Sequence, residues 1–232
     1  MYCIAKKPTP ILNTPDFLGV FGKNKLPLDE QGLLRPVEMI ALAGTKFQII
    51  KHLPNQILQV ITNDYPHGPQ YIDARFVTPA KATTAERKKI LPDLETICSR
   101  LKNSLGLPYI WGGNWGRGIP EIQALYQPNI PAHLKKIWTL AGFDCSGLLY
   151  EVTNGCTPRN TSELLHFGEK VPSLQHVKPL DILVWPGHMV ILLTPTLTIE
   201  SNCGKGVITT PLATRLSQLS STSFVIRRFF PL

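Results

Sequence analysis

Apolar residues recur along this chain with two different periods, and the change from one to the other divides it. Up to about residue 80, short β-prone runs occupy 38–42, 47–50, 57–61 and 71–77. Turn formers separate them at Ala43-Gly44, Pro54-Asn55 and Pro66-His67-Gly68-Pro69, a spacing that predicts a small all-β barrel over 1–80. From 84 onward Leu94, Ile97, Leu101 and Leu105 fall at helical spacing, so 92–105 reads as an amphipathic helix ended by Gly106. A second helix is expected over 144–154, where Leu148, Leu149 and Val152 share a face and Asn154-Gly155 supplies a stop. A helical stretch within 131–140 and a short helix over 162–167 complete the helical set. The period then turns to strands at 181–185, 189–193, 197–201, 206–210 and 223–228. Helices first and an antiparallel sheet after them give an α+β domain over 84–232, not the alternating βαβ of a nucleotide-binding fold.

Composition adds limits. The chain has 232 residues, 43% hydrophobic and 17% charged, and no apolar run approaches the roughly 20 residues of a membrane span. The opening Met1-Tyr2-Cys3-Ile4-Ala5-Lys6-Lys7-Pro8 has no apolar core of the secretion-signal kind, so a cytoplasmic location is expected. Five cysteines without CxxC spacing suggest neither a disulfide framework nor a zinc site, and no metal or other cofactor is expected. The net charge of +8 is spread over scattered lysines and arginines, without the aromatic interleaving of RNA-binding segments. Solvated faces account for it, and neither nucleic acid nor membrane is expected as a partner; the chain is expected to be a monomer.

Candidate chemistry centres on Asp144-Cys145-Ser146-Gly147, just where the 144–154 helix begins. A thiol at a helix N-terminus is exposed to partial positive charge, which favours the thiolate and leaves backbone N–H groups for an oxyanion. A buried core cysteine would show the same pattern. A nucleophile needs a base, and His188 opens the apolar strand after Pro186-Gly187. If the next turn centres on Thr194, Glu200 falls opposite His188 and can orient its ring; a one-residue slip would offer Ser201 or Asn202 instead. The glycine-rich 106–113 stretch contains Tyr109 and Trp111 and suits either close approach to a ligand or a packing turn.

In order along the chain, Leu-Pro-Tyr-Ile-Trp-Gly-Gly (107–113), Phe-Asp-Cys-Ser-Gly-Leu (143–148), Arg-Asn-Thr-Ser (159–162), Lys-Pro-Leu-Asp-Ile-Leu (178–183) and Gly-His-Met-Val-Ile (187–191) resemble the NlpC-type papain-like cell-wall peptidases. The region before them resembles the bacterial SH3-like domain, and the whole chain is similar to γ-D-glutamyl-L-diamino acid endopeptidases. The resemblance implies a papain-like NlpC-type domain with Cys145 as nucleophile, His188 as base and Glu200 as the third polar residue. It implies that Asp144 contacts the free α-amine of the stem peptide's L-alanine, with Ser146, Tyr109 and Trp111 lining that subsite and Tyr65 closing it. The implied substrate is a peptidoglycan stem peptide or muropeptide, and the implied reaction needs no cofactor. Two departures stand out: the family's third residue is usually histidine, and residues 114–142 intervene where only a few are normal. A catalytically impaired wall-fragment binder and a thiol acyltransferase are the alternatives from other functional classes.

Overall fold

In the computed structural model, residues 1–219 and 222–231 are described. The chain forms two compact units: Met1–Lys88 with Ile110–Gly142, and Lys89–Tyr109 with Phe143–Leu232. A single cut near residue 84 was expected, but the chain crosses between units three times because the 110–142 segment carries its own apolar anchors.

The first unit opens with β1 (Tyr2–Ala5), β2 (Thr9–Leu12) and helix α1 (Phe17–Phe21). It continues through β3 (Val37–Ala41), β4 (Lys46–Leu53), β5 (Ile57–Ile61), β6 (Gln70–Asp73) and β7 (Val77–Ala80). These strands make one antiparallel seven-stranded sheet in the linear order β3-β2-β6-β5-β4-β1-β7. The run expected at 71–77 is broken, because a 3-10 turn over Ala74–Phe76, capped by Asp73, separates β6 from β7.

After helix α2 (Leu94–Asn103), which belongs to the second unit, the chain returns with β8 (Asn114–Trp115), α3 (Glu121–Tyr126) and α4 (Lys135–Trp138). Ile119, Ile122, Trp138 and Leu140 join Phe17, Val20, Phe21 and Phe76 in one core. The Trp138 indole donates to the Phe21 carbonyl at 2.9 Å, and Asn114 both donates to and accepts from the backbone of Ile40 at 2.8 Å. These buried polar bonds satisfy groups that would otherwise be costly inside the core. The intervening segment is therefore part of the first unit's core.

The second unit resumes at β9 (Gly142–Phe143), whose first residue closes the first unit, and runs into α5 (Cys145–Val152) and α6 (Thr161–Leu164). Its strands are β10 (Glu169–Lys170), β11 (Ile182–Trp185), β12 (His188–Thr194), β13 (Leu197–Asn202), β14 (Gly206–Pro211) and β15 (Val225–Arg228), with α7 (Leu212–Gln218) before the last. They form a six-stranded antiparallel sheet, β10-β15-β11-β12-β13-β14. With α2, α5 and α6 ahead of the sheet, the unit is α+β. Met189, Ile191 and Ile199 face Ile97, Leu101, Leu148 and Val152 of α2 and α5. Val190 and Leu192 face Leu212 and Leu219 on the opposite side. Covered on both faces, the middle of β12 has no polar side to present, which is why Met189 to Leu193 is an unbroken apolar run.

α2 begins two residues later than expected, since Asp93 accepts from the Thr96 N–H at 2.7 Å and sets the first turn. Neither α7 nor α3 was expected.

Candidate active site

Helix α5 owes its start to Asp144. The residue is extended at φ −86° and ψ −178°, and its Oδ1 accepts from the Gly147 N–H at 2.7 Å. This is an N-cap, and it places Cys145 at the first helical position with the sulfur beside the backbone N–H groups of Ser146 and, from β12, Met189. The strand that supplies His188 thus also supplies an N–H to the sulfur, one residue further on.

Asp144 does more than cap. Arg159 grips it with both arms, Nη1 to Oδ1 at 2.9 Å and Nη2 to Oδ2 at 2.5 Å, and the same Nη1 reaches Ser146 Oγ at 3.1 Å. Both residues are buried, with side-chain exposures of 2% for Arg159 and 11% for Asp144. A bidentate guanidinium matches the carboxylate's geometry and balances its charge where water does not. Asp144, read from sequence as an amine contact, is thus already paired inside the fold; Ser146 sits within the same buried cluster.

The sequence also placed a lowered thiol pKa on Cys145. Here burial decides otherwise: desolvation, with a smaller push from the Asp144 charge, raises the thiol to about 12. Arg159 and the N–H groups of Ser146 and Met189 pull the other way and are outweighed. The resting site therefore holds a protonated thiol.

His188 is the first residue of β12, entered through Gly187 in the left-handed region at φ 87°. Its Nε2 lies 2.6 Å from Glu200 Oε2, and its ring centre is 5.2 Å from that of Trp185. The expected hairpin register is not the one present. Ile191 faces Ile199, two residues along from the Leu197 that a turn centred on Thr194 would give, and a bulge lies between Leu192 and Thr194. An even shift keeps every side chain on its original face. Glu200 consequently remains on the face of His188 as a diagonal neighbour, and its length closes the gap.

Glu200 is 2% exposed and crowded with donors: besides His188, Arg215 Nη2 lies 2.9 Å and Asn202 Nδ2 3.5 Å from the same Oε2. Burial on its own would raise the carboxyl. The His188 hydrogen bond and charge, the Arg215 charge and the Asn202 hydrogen bond together overcome this and hold it below the usual carboxylate range.

Tyr109, half-buried, is bridged to Phe143, whose carbonyl accepts from Ser201 Oγ at 2.7 Å. Burial first, then the charges of Asp144, Cys145 and Cys203, raise the Tyr109 phenol against the opposing pull of Arg159. A phenol held protonated within the field of Cys145 is a hydrogen-bond donor.

The other two sequence-predicted residues belong to the first unit. Tyr65 is buried and its hydroxyl donates to Glu38 Oε2 at 2.6 Å. Trp111 lies under the Arg35 guanidinium, 4.0 Å from its ring centre, while Arg35 pairs with Asp29. The glycine after it is a packing device: at Gly112, φ 70°, a Cβ would come within 2.4 Å of the Val37 carbonyl oxygen.

Sequence reasoning passed over two residues of the site. Arg159 stood inside the quoted Arg-Asn-Thr-Ser stretch without a role. Arg215 went unseen with its helix, although Leu212, Leu216 and Leu219 at helical spacing were the available signal. Among the described residues, no group of three or more His, Cys, Asp and Glu is arranged to hold a metal ion, and no helix is long and apolar enough to cross a membrane.

The α+β unit thus sets a cysteine at a helix start, beside the strand that carries a histidine bonded to a carboxylate. No family model matches the chain, and no curated protein does. Among solved structures it is similar to an NlpC/P60 family protein from Bacillus cereus ATCC 10987, at 18% identity and TM-score 0.46, with 99% of this chain and 63% of that one covered. The chain thus spans less than two thirds of that protein's length. NlpC2 from Trichomonas vaginalis is 13% identical at TM-score 0.42, with 100% and 73% covered. RipD from Mycobacterium tuberculosis, a non-catalytic NlpC/p60 domain protein adapted to peptidoglycan binding, is 19% identical at TM-score 0.42, with 59% and 96% covered.

Proposed function

We propose that the chain is an NlpC-type cysteine peptidase that hydrolyses peptidoglycan stem peptides at the γ-D-glutamyl to diamino acid bond. The observation that carries this reading is the His188–Glu200 contact of 2.6 Å on the strand whose next N–H meets the Cys145 sulfur. Nε2 is engaged by the carboxylate, so Nδ1 is the ring nitrogen left to take the thiol proton. Because burial keeps that thiol protonated, transfer to His188 accompanies attack on the γ-carbonyl carbon. The sulfur–carbon bond forms, and the carbonyl oxygen becomes an oxyanion within reach of backbone N–H at the α5 start and of the Tyr109 hydroxyl. His188 then returns the proton to the departing amine, and water hydrolyses the thioester with His188 as base.

Asp144 keeps a place in substrate recognition through Oδ2, which has one protein donor in Arg159 and further acceptor capacity for an ammonium group. Arg159 already balances its charge, so amine selection rests on hydrogen-bond geometry more than on net attraction. In this reading the first unit is an SH3-like module, and the enzyme works as a monomer in cell-wall recycling in the cytoplasm.

The test is incubation of the protein with L-Ala-γ-D-Glu-diaminopimelate peptides, free and acylated at the amine, followed by mass analysis. Release of the diamino acid from the free peptide, abolished in Cys145→Ala, is expected. Binding without cleavage would make the chain a wall-fragment receptor, and transfer of the γ-glutamyl group to an added amine would make it an acyltransferase.

A further inference from the structure

A buried glutamate that orients a histidine base brings a negative charge that the fold must balance. A lone buried carboxylate attracts the imidazolium strongly, and a buried charge with one partner is poorly compensated. The structure supplies a second partner from a separate helix. Arg215 on α7 places Nη2 2.9 Å from the Glu200 oxygen that His188 also contacts, and its guanidinium lies over Trp185, 5.4 Å from the ring centre. Trp185 in turn flanks His188. Nη1 is tied to Gln218 at 3.0 Å, while Nε is buried and has no hydrogen-bond partner. An arginine that leaves one donor unsatisfied while stacking and pairing with the other arm is held for the carboxylate, since surface solvation would satisfy all five N–H groups.

We propose that Arg215 is a positioning residue of the catalytic histidine: by sharing the Glu200 carboxylate it keeps that group ionised and balanced, so that Glu200 holds the His188 ring as a neutral residue would. This rests on the peptidase reading of the site. The groups around Glu200 can be named element by element. β12 contributes His188, α7 contributes Arg215 as its one charged residue, and β14, Gly206–Pro211, contributes none. Asn202 is polar but uncharged, and α5, on the side of the sheet that Ile199 and Ser201 face, carries Cys145, Tyr150 and Glu151. Of the charges that hold Glu200 below its usual range, Arg215 is the one on a residue outside the reaction itself.

Removing that cation lets Glu200 take a proton at higher pH, and a protonated Glu200 loses the charge that strengthens its bond to His188 and keeps only a weaker carbonyl acceptor. In Arg215→Gln the acid limb of peptide hydrolysis is expected to move toward neutrality by about one pH unit, a loss of ~10-fold on the acid flank. Arg215→Lys, which returns a cation of shorter reach, should move the limb back. In a Glu200→Gln background, Arg215→Gln should cause no displacement. An equal loss at every pH, or the same displacement without Glu200, would overturn the proposal. A second readout does not need turnover: in 15N-labelled protein, the His188 Nε2–H signal should vanish on acidification at a higher pH in Arg215→Gln than in the parent. If no stem peptide is cleaved but this signal shifts, the peptidase reading fails and the role of Arg215 stands; an unmoved signal removes that role whatever the activity.

Discussion

Replacing Arg159 by methionine tests whether the Asp144 pair is what holds the start of α5 in place. Asp144 caps α5 through the 2.7 Å bond to Gly147 and is gripped at 2.9 and 2.5 Å by a guanidinium that is 2% exposed. Arg159→Met leaves a buried carboxylate without its counter-ion, a change that costs about 3–5 kcal/mol in comparable buried pairs. Asp144→Asn keeps an acceptor for the cap but leaves the guanidinium uncompensated, a loss of similar origin. The double variant removes both charges, and its loss should fall below the sum of the singles by ~0.5–3 kcal/mol, the range for residues in direct contact. Amide exchange followed by mass spectrometry on α5 peptides reads this locally. A loss of ~3 kcal/mol corresponds to exchange about 100-fold faster, at 1.4 kcal/mol per decade. Strictly additive singles, or Arg159→Met exchange within about fivefold of the parent, would refute the claim that the pair organises the helix start.

The remaining expectations concern Cys145 and Gly112. A thiol raised from 9.0 to about 12 has, near pH 8, roughly a thousandth of the thiolate of an ordinary cysteine. Iodoacetamide should therefore label Cys145 far more slowly than exposed Cys203, with a rate that climbs through pH 10 and shows no plateau; a plateau centred below pH 8 would falsify the burial argument. The sign for stability follows, since a folded value above the unfolded one favours the protonated thiol in the fold. The contribution is full below about 9 and is lost as pH rises toward 12, a loss that Cys145→Ala should lessen. Gly112→Ala must place a Cβ 2.4 Å from the Val37 carbonyl at φ 70°, and thermal unfolding should show it destabilised by at least ~1–2 kcal/mol. A neutral result would return this glycine to the ligand-approach reading.

Much of the second unit was legible because its elements obey single periods. The 144–154 pattern became α5 (Cys145–Val152), and the expected run at 206–210 became β14 (Gly206–Pro211). The first unit was less so: β1, β2 and α1 are four or five residues each, too short for a period to show. The insertion misled for another reason. Ile119, Ile122 and Trp138 are spaced irregularly along 114–142, and only the core they share with Phe17 and Phe21 reveals which unit they belong to.

The sequence by itself determined the local placements: a cysteine after an aspartate at a helix start, a histidine opening an apolar strand, a glutamate one hairpin away. It could do so because caps, turns and strand alternation are local, and because an even change of register leaves a side chain on its face. Tertiary structure alone decided the charges and protons. Arg159, in the loop before α6, reaches Asp144 from fifteen residues away, and Arg215, on α7, reaches Glu200 from the same separation. Burial, which no local pattern measures, turned the expected thiolate at Cys145 into a thiol.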